Sequence, residues 1–160
     1  MTKQQMRAEI LDLEREFPVE ELFFSTTDTK GVIVHGNDLF VRISGYGFEE
    51  LMGAPHSIIR HPDMPRCVFQ LLWTTIQAKK TIAAYVKNLA KDGRYYWVLA
   101  VVMPCRDGYL SIRLKPTTPL WKTTQKLYAQ LRRIEQSIEF ESKQKKSAIA
   151  ASTLKLEKQL

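Results

Sequence analysis

Thirteen residues near the middle of the chain, Gly53-Ala54-Pro55-His56-Ser57-Ile58-Ile59-Arg60-His61-Pro62-Asp63-Met64-Pro65, constrain the fold more than any other stretch. Each proline removes a backbone donor and restrains the residue before it, so three prolines and a glycine rule out a continuous helix here. The chain must pass this point as a loop between two regular regions. That loop holds two of the three histidines, an arginine and an aspartate. Loops that present such groups from a rigid scaffold are where binding residues collect.

Ahead of the loop, Met6, Ile10, Leu13 and Phe17 recur at steps of four, three and four. This predicts a helix over residues 1–17, with Thr2 as its N-cap and Pro18 as its end. Residues 22–27 and 32–35 have strand composition, and Asp28-Thr29-Lys30-Gly31 between them has turn chemistry, which predicts a hairpin. Asn37 and Asp38 open a short helix that ends at Ser44-Gly45, and another helical turn covers residues 48–52. After the loop, Pro65 suits a first helical turn, and Val68, Leu71, Leu72, Trp73 and Ile76 give that helix an apolar face through Ala78. Three strands follow, over residues 82–89, 95–103 and 109–114. Strands interrupted by one cluster of helices imply an α+β domain, an antiparallel sheet with helices on one face. The expected units are a cap helix over 1–18, a globular domain over 19–116 and a C-terminal helix over 117–160.

The tail from Leu120 to Leu160 has neither proline nor glycine and is expected to be one long helix. Leu127, Leu131, Ile134 and Ile138 follow coiled-coil spacing, so a homodimer through the terminal helices is expected. The heptad register then meets Glu141 and Lys145. A four-residue stutter restores a seam through Ser142, Lys145, Ile149, Thr153, Leu156 and Leu160. The dull alternative is a helix packed on the domain through Leu131. Most of the net charge of +7 sits here: ten Lys/Arg against four Asp/Glu from Lys115 onward. A solvated basic face accounts for that, and no nucleic acid is expected. No apolar run approaches the roughly 18 residues of a membrane span, and nothing resembles a signal peptide, so a cytoplasmic protein is expected. Cys67 and Cys105 are read as free thiols.

Catalysis finds little support. His61 and Asp63 could be two members of a nucleophile–base constellation, but no GxSxG elbow or Cys/His signature accompanies them, and no enzyme is expected. A metal site would need His56, His61 and Asp63 to act together from a single loop. His61-Pro62-Asp63 also matches the tripeptide of J-domain co-chaperones, but that tripeptide joins two helices, and here strands lie on both sides. A held ligand remains. Arg60, His61 and Asp63 could serve a phosphate or ribose, and Asn37 and Asn88 the edge of a heterocycle. Phe40, Trp73, Tyr85, Tyr96 and Trp97 could wall it in. Each has a plainer reading: Asn37 as a helix cap, the aromatics as core, and Arg60 with Asp63 as an ion pair that fixes the loop.

Three runs then carry a resemblance: residues 25–33, residues 37–46 and residues 50–56. Ile59-Arg60-His61-Pro62-Asp63-Met64-Pro65, with Phe69, Leu72-Trp73, Val86-Lys87-Asn88, Asp92-Gly93 and Tyr96-Trp97-Val98, narrows it. Residues 23–115 resemble the PAS domains of bacterial aerotaxis, or energy-taxis, receptors. The resemblance implies a five-stranded antiparallel sheet with FAD between the sheet and its helices. It ties Arg60, His61, Asp63 and Asn88 to the flavin. With the residues above, the candidate cofactor set is Asn37, His56, Arg60, His61, Asp63, Trp73, Asn88 and Tyr96. The implied partner is a chemotaxis receptor or its cytoplasmic signalling region. Two departures touch the ligand-facing sheet: Ile82 stands where flavin-binding members commonly carry tryptophan, and the connection from Pro104 to Tyr109 is tight. The alternatives are a cofactor-free PAS dimerisation module and a PAS domain for a different small ligand.

Overall fold

In the computed structural model, which describes residues 9–142 and 145–159, the aromatic and β-branched run Tyr95–Pro104 forms the longest strand of the sheet. The strands are β1 (Phe23–Asp28), β2 (Ile33–Gly36), β3 (Ile82–Leu89), β4 (Tyr95–Pro104) and β5 (Gly108–Leu114). They pair antiparallel in the order β2-β1-β5-β4-β3, a five-stranded sheet as expected. Alternation along β4 separates two faces. Tyr96, Val98, Ala100 and Val102 are buried on the inner face, and Tyr95, Leu99 and Val101 on the other are only half-buried.

The chain crosses from β2 to β3 over the inner face. It does so through α1 (Asp38–Ser44), α2 (Phe48–Leu51), one 3-10 turn (His56–Ile59) and α3 (Arg66–Gln77). Phe40, Ile43, Leu51, Ile59, Met64, Val68 and Ile76 from this crossing share one core with Phe23, Tyr96 and Val98. Pro65 stands just before α3, as its N-cap. Gly31, at φ +82, turns β1 into β2 in the left-handed region that favours glycine, and a Cβ there would meet the Trp73 ring at 2.9 Å.

Two expectations are corrected. The helix predicted over residues 1–17 falls partly outside the described residues, and its described portion, 9–17, is extended. Leu11 N–H donates to Gly93 O (2.8 Å), Tyr95 N–H to Leu13 O (3.0 Å) and Arg15 N–H to Tyr95 O (2.7 Å). Phe17 is buried, but Ile10 and Leu13 of the supposed seam are 45% and 59% exposed. A short isolated helix is marginal in water, and backbone groups beside the β3–β4 turn offer this segment better partners.

The tail is two helices, α4 (Leu120–Ser142) and α5 (Lys145–Glu157), and the seam does not run on as one coiled coil. Ser152 Oγ donates to Glu135 Oε1 at 2.7 Å, whereas along a continuous helix those residues would lie about 25 Å apart. In sequence the heptad positions after Ile138 are the polar Glu141 and Lys145, so the apolar seam itself stops short of α5. Leu131, Ala148, Ser152 and Leu156 are buried within the chain.

The helix α4 covers the outer face at the β3–β4 side. The Trp97 ring lies 6.1 Å from Trp121 and 6.2 Å from Tyr128, and Tyr128 Oη donates to Tyr85 O at 3.0 Å. Further on, Arg132 Nε donates to Pro62 O (3.1 Å). Glu135, with 0% exposure, accepts from Arg66 N–H (3.0 Å) and Cys67 N–H (3.1 Å) as well as from Ser152. A carboxylate at a helix N-terminus satisfies orphan donors and complements the helix dipole. Replacing Glu135 with Ala is expected to destabilise the chain by about 1–3 kcal/mol, because buried donors lose their acceptor. Urea unfolding of E135A against wild type checks this; an unchanged midpoint would show that the three helices hold together without that carboxylate.

Candidate functional site

Between α3 and the inner face of the sheet lies a cavity of about 340 Å³. Its floor is Val86 and Asn88 of β3, Ala100 and Val102 of β4, and Tyr109, Ser111 and Arg113 of β5. The helical period of α3 turns Phe69, Leu72, Trp73 and Ile76 toward it. Lys30 and Gly31 of the β1–β2 turn, with His56 and Arg60 of the proline-rich segment, complete the wall. Trp73 meets Tyr109 edge to face, ring centroids 5.7 Å apart. Four of the eight candidate residues therefore converge here: His56, Arg60, Trp73 and Asn88.

Two of them hold polar atoms with nothing to bind. Asn88 is 3% exposed and its Nδ2 has no hydrogen-bond partner; Arg60 Nε is buried and likewise unpartnered. Buried donors in native proteins are nearly always satisfied, so such orphans call for an explanation. The Arg60 guanidinium lies 3.6 Å from the Phe69 ring centroid, a cation–π contact rather than the supposed ion pair with Asp63.

Arg113, outside the candidate set, is the largest fully buried side chain described, at 2% exposure. Its Nη2 lies 3.0 Å from Ser25 Oγ and 2.5 Å from His56 Nε2. An arginine can only donate, so His56 Nε2 is the acceptor and the imidazole carries its proton on Nδ1. Burial, then the charges of Arg113 and Arg60, push the His56 pKa down to about 3. Burial also lowers Arg113, to about 10. The signal was present in sequence: alternation along β5 sets Arg113 on the face of Ser111 and Tyr109.

The other four candidates lie elsewhere. Asn37 caps α1: its Oδ1 accepts from Phe40 N–H and Phe24 N–H, and its Nδ2 donates to Leu22 O. His61 is buried with Nδ1 accepting from Asp63 N–H (3.1 Å), its ring set edge-on to Tyr95. Burial and then Lys87 lower its pKa to about 4. Asp63 accepts from Lys87 Nζ at 2.8 Å. Burial works to raise the Asp63 pKa, but Lys87, with His61 and Arg132, more than offsets this and holds the carboxyl below its usual range. Asp63 and Lys87 line a second cleft, between the outer sheet face and α4. Tyr96 is core: it has 0% exposure, and its hydroxyl has no hydrogen-bond partner. Ile82 packs against the core and does not line the cavity; the indole there comes from Trp73. Among the described residues no three His, Cys, Asp or Glu side chains are placed to hold a metal.

Residues 33–109 match the family described as the PAS fold, and the sheet order with its inner cavity agrees: this chain contains a PAS domain and belongs to that family. Within it, the chain is 41% identical over 112 residues to the aerotaxis receptor of Escherichia coli (strain K12), a match covering 67% of this chain and 22% of the receptor. The chain thus corresponds to under a quarter of that protein. Two solved structures share the fold at 20% identity. One is a PAS domain from Colwellia psychrerythraea, with TM-score 0.55 over 60% of this chain and 86% of that one. The other is a light-oxygen-voltage domain, with TM-score 0.59 over 66% of this chain and 85% of that one. Among the described residues no helix is long and apolar enough to cross a membrane.

Two histidines, His61 buried and His56 half-buried in the cavity wall, make stability depend on pH. Each has an ordinary pKa of 6.5, lowered in the folded chain to about 3 for His56 and about 4 for His61. Below pH 6.5 the unfolded chain binds protons that the folded chain refuses, so stability is full above that value and is lost as pH falls toward the folded pKa values. The slope approaches about 1.4 kcal/mol per pH unit for each histidine. Urea unfolding at pH 7, 6 and 5 checks this; His61→Gln should remove about half the slope, and a flat profile would contradict the lowered pKa of both rings.

Proposed function

We propose that this chain is a sensory domain for energy taxis, which holds FAD in the cavity under α3 and passes the flavin's redox state to a chemotaxis receptor or its cytoplasmic signalling region. The observation that carries the reading is the pair of unpartnered donors, Asn88 Nδ2 and Arg60 Nε, at a cavity roofed by an indole. A flavin ring is flat, apolar at one end and studded with hydrogen-bonding groups at the other, and the donor set suits it. The volume of about 340 Å³ lies at the lower end of small-molecule sites, roughly 300–1,000 Å³, room for a fused ring system. Similarity to an aerotaxis receptor supports the energy-taxis role.

When bound, FAD supplies reversible electron transfer; the protein binds, orients and shields it. Asn88 donates to the ring edge. Arg60, held flat on Phe69, presents its remaining N–H groups from the side of the loop. Trp73 and Tyr109 keep water from the ring. His61 and Asp63 act at one remove, holding the loop that carries Arg60 against β3 through Lys87. A change in the cavity reaches the tail through α3, whose first N–H groups are bound by Glu135 of α4.

Purified protein is expected to be yellow, with flavin absorbance bands that remain in solution when the chain is unfolded. Asn88→Ala should lower flavin occupancy tenfold or more through loss of a buried hydrogen bond, while Asp63→Asn should change it less than threefold. Occupancy lost equally in both variants would put Asp63 in direct contact with the ligand. A colourless protein that takes up no added FAD would leave the cofactor-free interaction module.

A further inference from the structure

The cavity has charge of only one sign. Arg60, Arg113 and Lys30 line it, and no aspartate or glutamate does. Lys30 is at the exposed turn, but Arg113 is sealed inside, and among the described residues no carboxylate lies within ion-pair distance of it or of Arg60. What Arg113 has instead is neutral: Ser25 Oγ at 3.0 Å, Ser111 O at 3.4 Å, the neutral His56 nitrogen at 2.5 Å, and the faces of Phe40 and Phe23. Buried charges are ordinarily paired, because removal from water is costly and only an opposite charge restores most of what is lost. Here the chain supplies the cation and none of the anion.

We propose that Arg113 is the anion receptor of this cavity, so that the ligand is a planar heterocycle bearing negative charge at the edge that meets Arg113. The proposal rests on the flavin reading and deepens it, since a flavin gains negative charge at its pyrimidine end when reduced at neutral pH. Arg113 would then favour reduced over oxidised flavin and set the potential at which the sensor switches. His56 is a positioning residue: its Nε2 holds the guanidinium in place without adding charge. Arg60, half-shielded by Phe69, contributes hydrogen bonds more than pairing.

The test uses the full chain and three variants, Arg113→Lys, Arg113→Met and Arg113→Gln, each first shown to be folded by its circular dichroism and thermal melt. The midpoint potential of the bound flavin is read by absorbance during reductive titration. Arg113→Lys should stay near wild type. Arg113→Met and the neutral, hydrogen-bonding Arg113→Gln should each lose at least tenfold in preference for the reduced form, a fall of about 30 mV or more for a two-electron couple. A folded Met or Gln variant with an unchanged potential overturns the proposal while the flavin reading stands. If wild type takes up no flavin, or the neutral variants fail to fold, wild type freed of flavin is titrated with urate, an anion at neutral pH, and with neutral hypoxanthine of similar size. Tighter binding of urate by tenfold or more supports Arg113 as an anion receptor whatever becomes of the flavin. Equal binding, or none of either, overturns it.

Discussion

The first turn of α3 has backbone donors that must find acceptors in a place water does not reach. Glu135 supplies them from a different helix, and Ser152 of a third helix holds the same carboxylate. This one side chain decides where the tail goes. It closes the hairpin of α4 and α5 and fixes both to the helix that roofs the cavity. The thiol of Cys67 beside it is pushed up to about 11, mainly by burial and then by the carboxylate's charge, so it stays protonated and inert. Few routes exist by which a shift of α3 could leave the tail undisturbed.

The proline-rich loop supports the same helix from its other side. Its backbone is tied to β3 by the His61 N–H to Lys87 O contact and the Arg60–Asn88 bridge, and to α4 by Arg132. The polar residues of the loop therefore divide by direction. His56 and Arg60 point into the cavity, and His61 and Asp63 turn to the outer face and the tail. One short stretch contacts both compartments, which is what a relay between a ligand and an output element requires.

Much of this was readable in the sequence, for physical reasons that differ by element. The strands β3, β4 and β5 announce themselves because β-branched and aromatic residues sit between glycine-containing turns. The short helices are marked by Asn37, Gly45 and Pro65. The N-terminal segment misled because Ile10 and Leu13 keep a helical period while the backbone partners that outweigh it belong to Gly93 and Tyr95, about 80 residues away in sequence. The tail misled only in its continuity, because the heptad spacing of Leu127, Leu131, Ile134 and Ile138 says nothing about where their helix stops. In the site, Trp73 and Asn88 were legible as a wall and an amide. The separation of Arg60 from Asp63 was not, since spacing along an irregular loop says nothing about which way each side chain turns. Arg113 was legible in the alternation of β5 but looks, taken alone, like an ordinary strand charge.

The placement of the tryptophans has a practical side. The chain has three, and they fall into two separate settings: Trp73 in the cavity wall, Trp97 with Trp121 where α4 meets the sheet. Intrinsic fluorescence therefore has two channels. Quenching of Trp73 would report what enters the cavity, and the coupled pair would report whether the tail lies on the sheet. A single conservative replacement at either place separates sensing from transmission without any label being attached.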